Sequence, residues 1–126
     1  LSEMKLEHEQ WQGRLRFYKD ELSHFNNHLD RLAASGKARE VQPRLNHFQT
    51  LFRDKESRLD QIRTDFSRHE SLIQSMNSGH EAEPKDGIRK VHRVQRDKLE
   101  QIEQLFHDLR NEFNVFLNDV SDRKSL

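Results

Sequence analysis

From Val41 to Met76 the apolar residues recur every three and then every four positions. The row is Val41, Leu45, Phe48, Phe52, Leu59, Ile62, Phe66, Ile73 and Met76, with Lys55 and His69 holding its two polar places. A period of 3.5 kept up over about five heptads marks a helix with one apolar seam. Such a helix cannot bury its seam against itself, so neighbours must supply matching stripes, and the flanking segments do. Before it come Leu1, Met4, His8, Trp11, Leu15, Tyr18, Leu22, Phe25, Leu29 and Leu32. After it come Ile88, His92, Gln95, Leu99, Ile102, Phe106, Leu109, Phe113, Phe116 and Val120, widened by Val91, Leu105 and Leu117 as suits a helix touching two neighbours. The chain reads as a single all-α domain over 1–126. Its expected form is an elongated, antiparallel, coiled-coil-like three-helix bundle, running up-down-up, with helices at about 2–34, 40–77 and 87–120.

Punctuation supports these divisions. Ser2 is a candidate N-cap, and Glu3 favours the positive end of the helix dipole. Gly13 lies opposite the seam, where it weakens the helix without breaking it. The small residues Ala33, Ala34 and Ser35 lead to Gly36, expected as a left-handed terminator. Pro43 fits the first turn of the second helix, where its missing N–H costs nothing. The stretch from Gly79 to Gly87 has turn-forming composition and no seam, and reads as the one real linker, with Asp86 a candidate N-cap for the third helix. Ser121 to Leu126 is expected to fray.

Composition narrows the function classes. In 126 residues, 35% are charged and 32% hydrophobic, the balance of long-helix proteins. A mean hydropathy of −1.11 would suit disorder, but disordered tracts have no need of a regular apolar period. The 22 basic and 22 acidic residues cancel, so no net field draws the chain to nucleic acid or to an anionic membrane. The absence of cysteine excludes disulfides, thiolate chemistry and Cys-based zinc sites. No stretch is apolar enough for a membrane span. A cytoplasmic location is the expectation, for a chain whose start at Leu1 rather than Met suggests trimming.

Chemistry, if there is any, belongs where the seams turn polar. Pairing around the two connections puts residues at one level whose numbers sum to about 75 for helices one and two and about 164 for helices two and three. His8 then lies level with His69, and His69 with Gln95 and within a turn of His92. Two readings follow. The three imidazoles converge on a divalent metal, or the layer is structural and its members satisfy one another and fix register. The structural reading is preferred, because imidazole clusters are common without metal. A second stripe, Glu21, His24 and His28, carries the Glu-x-x-His spacing of di-iron carboxylate bundles. Those bundles need two such motifs and two further Glu residues, so a solvated face is preferred here. No other cofactor is indicated.

Lys55 interrupts the central seam and is expected to snorkel toward Glu112 or Glu21. Arg89, Arg93 and Arg96 share a face in a basic run that also holds Lys90 and Lys98, a candidate surface for an acidic partner, an anion or a nucleic acid. Cations at a helix N-terminus oppose the dipole, and Glu3, Glu7 and Glu9 on a parallel first helix are expected to neutralise them within the bundle. Nucleophile–base pairs, Gly-rich phosphate loops and zinc-protease spacings are absent from the sequence.

Three long heptad helices with a Trp early in the first, here Trp11, resemble a spectrin-type repeat over the whole chain. Such repeats usually carry a further Trp in the third helix, which this chain lacks. The resemblance implies the bundle architecture and no functional residue. The expected role is non-enzymatic: a helical interaction or scaffold module that meets a protein partner or a second copy through its long faces. Off-seam Phe17, Leu51 and Leu72 make self-association plausible.

Overall fold

The computed structural model describes residues 2–35, 38–78 and 86–124. They form three helices: α1 (Ser2–Ala33), α2 (Ala38–Ser78) and α3 (Asp86–Lys124). Among the described residues there is no strand. Leu1, the terminator Gly36 and the linker from Gly79 to Lys85 lie outside this description, as do the side chains of Ser2, Ile73, Met76 and Asp86.

Every seam position whose side chain is described is buried or half-buried. One continuous core results, running from Trp11 through Leu15 and Leu22 to Leu29 on α1, with Phe52, Leu59 and Phe66 on α2 and Ile102, Phe106 and Phe113 on α3 facing them. At the end where α2 starts, Phe25, Phe48, Phe52, Phe113 and Phe116 form an aromatic cluster. Its ring centroids stand 5.0 to 5.7 Å apart in the Phe48–Phe116, Phe25–Phe113 and Phe48–Phe52 pairs, the spacing at which offset and edge-on contacts add to burial. Arg44 lays its guanidinium over Phe116, 4.7 Å from the ring centre, and pairs with Asp119.

α1 and α3 run parallel, tied by three ion pairs at heptad intervals. Glu7 meets Arg96 at 3.1 Å, Arg14 meets Glu103 at 2.6 Å and Glu21 meets Arg110 at 2.8 Å, each pair 89 residues apart in sequence. Within the basic start of α3, Arg96 pairs with Glu7 as anticipated, and Lys98 pairs with Asp65 of α2. The third rung is the most enclosed, with Nε and Nη2 of Arg110 both donating to the Glu21 carboxylate. Among the described residues, no helix is long and apolar enough to cross a membrane.

Three local expectations need correction. α2 begins at Ala38, which leaves Pro43 inside the helix. Val41 stands in the turn ahead of Pro43 and is buried in the core, and helix there continues the α2 seam to it. The proline ring sits on the exposed outer face, but the Arg39 carbonyl loses its i+4 donor. α3 continues to Lys124 instead of ending near Val120, one turn past the buried Val120 and the Asp119–Arg44 pair. Lys55 is half-buried, but its two anticipated carboxylates are engaged elsewhere, Glu112 with His47 at 2.9 Å and Glu21 with Arg110.

Two outcomes test this account. Pro43→Ala restores a backbone hydrogen bond, and after allowing for the greater entropy of the unfolded variant it should stabilise the fold by about 1 to 2 kcal/mol, read as a higher melting temperature. A double-mutant cycle on Glu21 and Arg110 should give a coupling energy of about 1 kcal/mol that shrinks in high salt; zero coupling at low salt would mean that the third rung does not hold register.

Candidate functional site

Toward the far end of the bundle from the phenylalanine cluster, the core turns polar. His8 from α1, His69 from α2 and His92 with Gln95 from α3 occupy consecutive seam positions, and all four are between 1 and 4% exposed. Heptad spacing puts them there: each stands where a leucine or phenylalanine would continue the stripe. The ring centroids of His8 and His69 are 5.6 Å apart and those of His69 and His92 5.2 Å. Trp11 stacks on His92 at 4.5 Å, and Phe66 lies 5.5 Å from both Trp11 and His8, so the layer rests on an aromatic floor.

The hydrogen bonds within the layer fix its protons. His69 Nε2 and His92 Nδ1 are 3.1 Å apart, so one of them donates to the other. The Glu7 carboxylate, 3.6 Å from His92 Nε2, favours a proton on that nitrogen electrostatically without forming a hydrogen bond to it. In that tautomer His92 Nδ1 accepts from His69 Nε2–H; His69 Nδ1, His92 Nε2 and both ring nitrogens of His8 have no hydrogen-bond partner. Gln95 behaves alike: its amide donates to the Asp65 carbonyl at 3.1 Å, while its side-chain oxygen has no partner. His8 Nδ1 lies 3.8 Å from the Glu70 carboxylate, beyond hydrogen-bond reach.

Burial pushes all three imidazoles below their ordinary value of 6.5, since a charged ring loses its hydration there. His69 falls furthest, to about 4, with His92 and His8 adding to the effect and no carboxylate opposing it. Burial dominates at His8 too, but Glu70 pulls upward against it. At His92, Glu7 opposes burial and Arg96 reinforces it. The layer is therefore held neutral at pH 7. Among the described residues, no group of three or more His, Asp and Glu side chains is arranged to hold a metal ion; His69 and His92 share a hydrogen bond, whereas neither ring nitrogen of His8 has a partner.

The other sequence-derived candidates separate. Glu21 is engaged with Arg110, His24 is exposed, and His28 turns edge-on to Phe113 at 6.0 Å. Of the arginines, Arg96 pairs with Glu7, while Arg93 is exposed and Arg89 sits on the same outer side of α3. Sequence reasoning missed a different surface. Between α2 and α3, beside the histidine layer, an open groove of about 410 Å3 is lined by Leu72, Val91 and Val94 and flanked by Arg68, Lys90 and Lys98, with His69 and Gln95 in its wall. The three aliphatic residues are 39 to 47% exposed. Leu72 stood out as off-seam and Val91 as widening the third seam, but only the packing of α2 on α3 brings them together with Val94. Leu51, by contrast, packs partly against the core, and Phe17 lies on α1 beside Tyr18.

No known protein family, characterised protein or solved structure matches this chain.

Depressed histidine values have a definite consequence for stability. The unfolded chain binds protons from about pH 6.5 downward, whereas the folded layer resists them, so stability is full above 6.5 and falls as the pH drops toward 4. His69 alone should account for about 3 kcal/mol between pH 7 and pH 4. The melting temperature of His69→Leu should therefore fall less on acidification than that of the natural chain. Parallel pH profiles for the two proteins would contradict the assignment.

Proposed function

We propose that this chain is a non-enzymatic helical module that binds or scaffolds another protein through its long faces. The observation that carries the reading is the apolar groove formed by Leu72, Val91 and Val94, side chains of a size and type that the same bundle buries wherever its own helices meet. Apolar residues gathered into one exposed patch suit a protein contact, whereas scattered ones call for no account. The polar groups of the interior support the same reading. The histidine layer is neutral, packed against Trp11 and Phe66, and its hydrogen bonds serve the joining of α2 to α3. A rod about 60 Å long, with helices in parallel and antiparallel pairs, offers extended faces of the kind partner helices lie along.

The test is capture from the native source with chemical cross-linking, paired with sedimentation of the purified chain. A stoichiometric partner, or a dimer whose cross-links map to one bundle face, is the expected result. A monomer that retains nothing would defeat the proposal.

A further inference from the structure

The groove's charge and shape say more about what fits it than its apolarity does. Its flanks carry three cations, Arg68, Lys90 and Lys98, against a single carboxylate, Asp65. That carboxylate is already shared, 3.5 Å from Lys98 and 4.0 Å from Arg68. Val91 and Val94 stand one turn apart on α3, with Leu72 across the furrow on α2. Two antiparallel helices make such a furrow, and a further helix lies along it with anchors spaced three and four residues apart.

We propose that this groove receives an acidic amphipathic helix from another protein, its aliphatic side chains on Leu72, Val91 and Val94 and its carboxylates toward Arg68, Lys90 and Lys98. The inference rests on the reading of the chain as an interaction module and specifies the partner's chemistry. Electrostatics disfavours a second copy here. A two-fold dimer through this face would set each cationic flank against its own image. The groove's volume is within the range of small-ligand sites, but it lies open along the helices instead of enclosing a ligand.

The experiment uses the chain with isotopically labelled methyl groups and two synthetic helical peptides of equal length and identical leucine spacing, one flanked by glutamates and the other by lysines. The glutamate peptide should shift the methyl resonances of Leu72, Val91 and Val94 saturably, and should bind at least about tenfold more tightly than the lysine peptide at low salt. Val94→Asp, at an exposed position, should abolish those shifts while leaving the melting curve in place. Arg68→Glu combined with Lys90→Glu should invert the preference between peptides. Equal binding of the two peptides, shifts confined to other faces, or the same saturable shifts produced by decanoate alone would each overturn the proposal, the last by making the groove a site for small amphiphiles. A captured partner whose cross-links avoid α2 and α3 would sink this inference and leave the interaction module standing; an empty capture sinks the module itself.

Discussion

Each helix carries an apolar stripe that it can hide only in contact with both of the others, and the rest of the structure follows from that shared burial. Among the described residues there is no sheet to lean on, and the buried residues of all three helices form one cluster. Polar residues in the row cannot escape sideways without taking their neighbours with them. His8, His69, His92 and Gln95 are therefore buried by position and not by character, and the hydrogen bonds of His69, His92 and Gln95 are what the level allows.

The two ends of the rod are built differently. One is closed by five phenylalanines in mutual contact, with Arg44 stacked over the outermost ring. The other substitutes imidazoles for hydrocarbon, keeps acceptor atoms of His69 and Gln95 without partners, and exposes Leu72, Val91 and Val94 beside them. Unsatisfied buried acceptors cost about 1 to 3 kcal/mol each, so the histidine end is held less firmly than the aromatic one. Local opening should begin there.

Much of this was legible in the residues. The heptad rows name the buried positions of all three helices, and pairing around the connections brings His8, His69 and His92 to one level, because an α-helix rises by a fixed amount per residue. What escaped depends on contacts between helices. Pro43 reads as a first-turn residue, whereas α2 already runs ahead of it with Val41 buried. The tautomer of His92 depends on Glu7, one helix away, and the fate of Lys55 on acids already engaged by His47 and Arg110. The basic face named from the third helix alone, Arg89, Arg93 and Arg96, differs from the one that adjoins an apolar furrow. That furrow takes Arg68 and Leu72 from α2, and no periodicity within a single helix can reveal it.

The rungs between α1 and α3 alternate in sign, with acid, base and acid on α1 meeting base, acid and base on α3. A uniform heptad seam tolerates slippage, since hydrophobic contacts are nearly the same one repeat along. The charges do not. Sliding α3 by seven residues would bring Glu7 opposite Glu103 and Arg14 opposite Arg110, so that attraction turns to repulsion at both places. The alternation works as a parity check on an otherwise repetitive alignment, rejecting the nearest misfolded packing by a difference of about 1 kcal/mol per rung.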